Sequence, residues 1–216
     1  MIAARLDSLE PVDKELVQNA AVVGKVFWTG ALATLTGREP FLVEEQLHGL
    51  ERKEFVRRER RSGVAGETQY AFLHLLLRDV AYSQIPRSER ADKHSGAAAW
   101  IESLSADRSE DRAEMLAHHY LEALELLRIT GGDESTLREP ARKALTEAGE
   151  RSRALHAPTA AADFFEQALE LTAEDDPGRA SLPPYLRAHE VGIGRCSGRA
   201  QLNSRTTSRS LRASSR

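Results

Sequence analysis

Two short runs, Phe55-Val56-Arg57-Arg58-Glu59-Arg60 and Thr68-Gln69-Tyr70-Ala71-Phe72-Leu73, interrupt an otherwise helical sequence. Both contain β-branched and aromatic residues, and Gly63 and Gly66 lie between them, so they read as a β-hairpin with a longish loop. Upstream the apolar period is that of helices. Pro11 suits the first turn of a helix over roughly 11–26, with Leu16, Ala20 and Val23 at helical spacing. A short helix over 30–36 reads as capped by Thr29 and stopped by Gly37. The next begins near Pro40 and places Val43, Leu47 and Leu50 on its inner face. Residues 2–9 carry Ile2, Leu6 and Leu9 on one stripe and read as the end of an earlier helix.

Downstream the helical period returns. A helix over 74–85 is expected to turn Leu76, Leu77, Val80 and Ala81 inward and to end before Pro86. A second over 88–104 carries Ala91, Ala98, Ile101 and Leu104. A third over 111–129 carries Leu116, Tyr120, Ala123 and Leu127, and Gly131-Gly132 ends it. Two alanine-rich helices, about 137–156 and 159–172, are separated by Ala157-Pro158. Asp175-Asp176-Pro177-Gly178 reads as a turn. The expected fold is mainly α. Three helices and one β-hairpin, the layout of a winged helix, occupy residues 1–86, with the end of a preceding lid helix at 2–9. A helical region follows over 87–182, and a tail over 183–216.

The chain has 216 residues, 41% hydrophobic and 29% charged, enough apolar material to fill a core. Its net charge of -3 hides an uneven distribution. Residues 1–184 hold 23 Lys and Arg against 32 Asp and Glu, whereas residues 185–216 hold seven Arg against one Glu. The body is therefore acidic and the tail basic. Residues 195–216 contain six Arg and six Ser without a periodic apolar face, a composition expected to be disordered. The abrupt change near residue 183 suggests a shifted reading frame; a genuine basic tail that contacts nucleic acid is the rival reading. No apolar run approaches 18 residues, so no membrane span is expected. Cys196 is the single cysteine, which excludes an internal disulfide and a thiolate zinc cluster. Met1 to Asp7 lacks the basic-then-apolar layout of a secretory signal, and a cytoplasmic location is expected.

Ala148-Gly149 followed by Ala161, Phe165 and Ala168 resembles the small-residue and aromatic spacing of a tetratricopeptide repeat. In such a repeat the small residues let two helices approach and the aromatic ring fills the space between them. Ser152 stands where the repeat usually has Tyr, and Ala173 where it often has Pro. A plain helical hairpin is the alternative.

Four further stretches carry a wider resemblance: Ile2 to Leu9, Ala20 to Phe27, Leu47 to Val56, and Tyr70 to Tyr82. Their order and spacing resemble the region that follows the ATPase core in bacterial signal-transduction ATPases of the AAA/NACHT type. Those proteins often carry an adenylate/guanylate cyclase domain in front and tetratricopeptide repeats behind. The resemblance covers residues 2–182. It implies a winged helix leading into helical repeats, and a role in relaying the state of a nucleotide to a sensor array.

Within the same resemblance, Phe72-Leu73-His74-Leu75-Leu76-Leu77-Arg78-Asp79 is similar to the Met-His-Asp segment of plant immune receptors. It implies that His74 contacts a nucleotide phosphate in a full-length parent, although Leu75 replaces the Asp. The alternative is a structural histidine. No phosphate loop is present: Gly24-Lys25 is followed by Val26 and lacks the hydroxyl that would meet magnesium. The chain is thus expected to hold no cofactor and to be no enzyme by itself, with ATP or ADP expected only in a full-length parent.

Arg57, Arg58, Arg60 and Arg61 on the first strand of the hairpin are candidates for DNA phosphates. The preferred reading is a solvated strand that docks on the protein's own missing ATPase domain. The helix ahead of them is acidic at Glu44, Glu45 and Glu51, which disfavours entry into a major groove. Glu114 and His118-His119 form one helical pair without a third ligand, so no metal site is expected. No nucleophile elbow supports Ser-His-Asp catalysis. The reading is a non-enzymatic regulatory module that binds protein partners. A DNA-binding regulator and a cyclase-type protein lacking its catalytic part are the alternatives.

Overall fold

Proline and glycine set the limits of most helices. The computed structural model describes residues 2–105 and 111–172. The expected turn at Asp175–Gly178 and the tail over 183–216 lie outside the described residues. Helix α1 (Ile2–Asp7) buries Leu6. Pro11 opens α2 (Pro11–Val23) at a position where its missing N–H would have had no partner. Gly24, at φ 146°, ends it.

The chain then runs extended as strand β1 (Val26–Trp28). The helix expected over 11–26 stops at Val23, and this strand was not expected. Gly24 stops the helix, and Val26-Phe27-Trp28 is a β-branched and aromatic run too short to show its own period. Helices α3 (Thr29–Thr36) and α4 (Pro40–Arg52) follow, with Gly37 in the left-handed region at φ 65° between them. As expected, α4 buries Val43, Leu47 and Leu50.

Strands β2 (Val56–Arg58) and β3 (Gln69–Phe72) form the expected hairpin, but it is part of a larger sheet. The order is β1-β3-β2, all antiparallel, with Phe27 opposite Tyr70 and Arg57 opposite Ala71. One hairpin therefore becomes three strands, because β1 returns to pair on the free side of β3. Phe27 stacks on Tyr70 at 6.2 Å and meets Phe72 edge-on at 5.4 Å, so the inner face of the sheet is aromatic.

The expected cap of α3 is also corrected. Thr29 lies inside the helix, and Trp28 precedes it without a side-chain cap. The N–H of Gly30 donates instead to the Glu67 carboxylate at 2.9 Å, so the loop between β2 and β3 supplies the acceptor. The Trp28 indole N–H donates to the Ser62 hydroxyl at 3.2 Å and fastens the same loop from its other side.

Helix α5 (Leu75–Ser83) buries Leu77 and Ala81. Leu76, expected to face inward, is 58% exposed: the buried stripe runs through Leu77 and Ala81, and Leu76 lies about 100° round the helix from Leu77. Helices α6 (Arg87–Ser103), α7 (Arg112–Thr130), α8 (Ser135–Ala154) and α9 (Pro158–Glu170) pack as successive neighbours. Helix α6 joins this stack to the sheet-bearing half: Trp100 stacks on Trp28 at 5.6 Å, and Lys93 Nζ donates to the buried Asn19 Oδ1 at 2.6 Å. The result is a mainly helical fold with one small antiparallel sheet. Among the described residues no helix is long and apolar enough to cross a membrane.

Candidate functional site

The four arginines singled out from the sequence sit together on β2 and the start of its loop, and all are exposed. They line a shallow depression with Glu59. Arg57 Nε pairs with the Glu59 carboxylate at 3.1 Å. Arg58 donates its backbone N–H to Glu51 at 2.8 Å. Arg58, Arg60 and Arg61 have no side-chain carboxylate partner among the described residues. The neighbouring α4 turns a different surface outward. Phe41 is 66% exposed, Leu42 and Glu45 are exposed, and Glu44 is half-buried.

His74 immediately precedes α5 and is exposed. Its carbonyl accepts the N–H of Leu77 at 3.0 Å, while its imidazole has no partner among the described residues. Leu73, Leu75 and Leu76 around it are exposed as well.

Gly149, Ala161, Phe165 and Ala168 meet between α8 and α9, and all four are buried. A methyl group built at Gly149 would lie 2.7 Å from the Phe165 ring, closer than atoms can pack. The glycine is thus required by the close approach of the two helices. Ser152 is buried in the same seam.

A fourth arrangement was not legible as a unit. His94 on α6 and His119 on α7 are both buried, and their Nδ1 atoms are 2.9 Å apart. The Tyr82 hydroxyl of α5 lies 2.9 Å from His94 Nε2. Arg78 and Arg90 stack over the Tyr82 ring at 5.0 and 4.5 Å. The ring of His118 sits 5.2 Å from that of His119. Burial lowers His94 to about 2, and the neighbouring imidazoles and the two guanidiniums add to the effect. Burial lowers His119 to about 3, with His118 contributing. Burial lowers His118 too, opposed by Glu122. Both inner rings are therefore neutral at pH 7. Glu114, read from the sequence as a helical partner of His118, faces the Arg151 guanidinium at 3.5 Å instead. The signal that was available is positional: His94 lies between Ala91 and Ala98, and His119 between Leu116 and Ala123, on the buried stripes of their helices.

His119 and His118 also line a groove of about 470 Å³ between the start of β1, α5 and α7. Its apolar wall is made by Val23, Val26, Trp28, Leu75 and Met115. Its charged groups are Lys25, Arg78 and Asp79. Arg78 is held by the Ala21 carbonyl at 3.0 Å and by Asp79 at 3.1 Å. Lys25 is exposed, and its ammonium has no partner among the described residues. No group of three metal-ligating side chains is found among the described residues.

No family model matches the chain, and comparison with curated proteins and with solved structures finds no similar protein.

Proposed function

We propose that the chain is a non-catalytic regulatory module, a winged helix over residues 11–72 running into the first helices of a tetratricopeptide-like array, and that it works by binding protein. Support for the winged helix comes from the order helix, strand, two helices, then two strands, with β3 between β1 and β2. Support for the repeat comes from the Gly149–Phe165 contact between α8 and α9.

The observation that carries the functional reading is the outward face of α4. In a DNA-reading winged helix this element enters the major groove, where cations and amides meet base edges and phosphates. Here it offers Phe41, Leu42, Glu44 and Glu45. An aromatic and aliphatic surface edged by carboxylates suits a protein partner and repels a phosphate backbone. The partner of this reading is an ATPase domain of the same signalling protein, with His74 turned toward its nucleotide. The arginines of β2 then serve docking.

Two measurements test this. Anisotropy with labelled duplex DNA at about 50 mM salt should show no saturable binding. Tight, steeply salt-dependent binding that is lost in the Arg57→Ala, Arg58→Ala, Arg60→Ala, Arg61→Ala variant would establish the DNA-binding reading instead. The second is a melting scan with ATP and with ADP. The chain alone should show no shift, because His74 supplies one contact of a site whose other parts belong to another domain. A clear shift with either nucleotide contradicts the proposed division of labour.

A further inference from the structure

The groove beside β1 has a donor of fixed direction, and the hydrogen bonds behind it determine which. Each neutral imidazole carries one N–H. With the Nδ1 atoms of His94 and His119 at 2.9 Å, one of the two must hold the hydrogen and the other must accept it. Suppose His119 held it. His94 would then carry its hydrogen on Nε2 and donate to Tyr82, whose own O–H has no other partner among the described residues and would be left with nothing there to donate to. Suppose instead that His94 Nδ1–H donates to His119. The bare His94 Nε2 then accepts the Tyr82 O–H, and the one donor left without a protein partner is the outer N–H of His119, where water or an occupant of the groove can meet it. The second arrangement places the hydrogen of His119 on Nε2, the remaining nitrogen of a ring that lines the groove.

The charges on the wall are nearly balanced. Arg78 is paired with Asp79, His118 and His119 are neutral at pH 7, and Lys25 alone has no counter-charge. Lys25 with its uncompensated ammonium, His119 with its outer N–H, and an apolar wall of Val23, Val26, Trp28, Leu75 and Met115 line the same space. Its volume, about 470 Å³, is that of a small-ligand site. Leu75, at 60% exposed, offers an apolar side chain to an occupant of the groove.

From this complementarity we infer that the groove binds an apolar monocarboxylate, its oxygens on Lys25 and His119 Nε2–H and its hydrocarbon against Leu75 and Val26. A dianionic phosphate would bring more charge than the wall compensates. A metal ion would need a bare nitrogen where His119 carries a hydrogen. The inference is independent of the regulatory reading above.

Octanoate is the probe, with octylamine and octanol as matched controls. Titration is followed by the melting temperature and by the ¹⁵N resonance of His119 Nε2–H. Octanoate is expected to raise the melting temperature and shift that resonance, and neither control should do so. Lys25→Ala, at an exposed residue without a partner, folds normally and weakens octanoate about tenfold, the size of one charge-assisted hydrogen bond. Acetyl-Leu-Leu with a free C-terminal carboxylate is run beside it. Tighter binding of the peptide assigns the carboxylate to a chain terminus, and tighter binding of octanoate assigns it to a free acid; either result supports the site. The inference is overturned if neither acid binds, if octylamine or octanol binds as well as octanoate, or if Lys25→Ala leaves the affinity unchanged.

Discussion

Two pairs of neighbouring helices in this fold are joined by opposite means. Between α8 and α9 the contact is dry: Gly149 yields its side-chain volume to the Phe165 ring, with Ala161 and Ala168 alongside. Between α6 and α7 the contact is polar: His94 and His119 share one hydrogen in a buried space, and Tyr82 closes the end of the chain. The first joint depends on shape, so volume changes are what damage it. The second depends on three groups staying neutral and on their hydrogens being in the right places, so protons and single donors are what damage it. One kind of secondary structure thus carries two different vulnerabilities.

The largest expected effect is on the dry joint. Phe165→Ala removes a fully buried ring and should cost about 3–5 kcal/mol in chemical denaturation. Gly149→Val pushes branched carbons into the space where a single methyl already lies 2.7 Å from that ring, and overpacking of this kind costs about 1–3 kcal/mol. Neither loss should vary between pH 7 and 5. A loss under about 1 kcal/mol for Phe165→Ala would mean that the two helices do not rely on each other, contrary to the contact described.

Acid should select the other joint. His94 and His119 titrate at about 2 and 3 in the folded chain and near their ordinary value of 6.5 when unfolded. Between those limits the unfolded chain binds protons that the folded chain does not. Their contribution is complete above pH 6.5 and is lost as pH falls toward 3. The slope approaches about 1.4 kcal/mol per pH unit for each histidine. Denaturation curves at pH 7, 6 and 5 should show progressive loss, and amide exchange should show α6 and α7 opening before α8 and α9. Equal stability at pH 7 and 5 would contradict the burial of the pair.

The two joints differed in how far the sequence revealed them. Gly149 and Phe165 stand sixteen positions apart on either side of one short turn, a spacing that reflects local hairpin geometry and is readable in one dimension. His94 and His119 are twenty-five residues apart on helices whose stripes are mostly alanine and leucine, and nothing in either helix indicates which residue it will meet. The groove was less legible still, since β1, α5 and α7 come together only after α6 has turned the chain back. Strand β1 was missed for a related reason: three residues show no alternation, and their pairing partner lies more than forty positions away. By contrast, α4 and the β2–β3 hairpin were visible because a proline, two glycines and a helical stripe of Val43, Leu47 and Leu50 are all local signals.

Tyr82→Phe gives the smallest effect and the finest view of the polar joint. The ring stays, so Arg78 and Arg90 keep an aromatic face at 5.0 and 4.5 Å, and the cation–π contribution changes little. What is lost is the O–H that His94 Nε2 accepts in the tautomer inferred above, across 2.9 Å. A buried acceptor without a donor costs about 1 kcal/mol or somewhat more. The variant also removes the reason for the hydrogen to sit on His94 Nδ1. His94 and His119 then become closer in energy in their two tautomers, and the ¹⁵N shift of His119 Nε2 should move toward that of a bare nitrogen. Stability alone would not separate this from a simple packing loss, but the tautomer shift does. A Tyr82→Phe chain with unchanged stability and an unchanged His119 resonance would show that the chain of hydrogen bonds ends at His94, and that the tautomer in the groove is set by the two histidines alone.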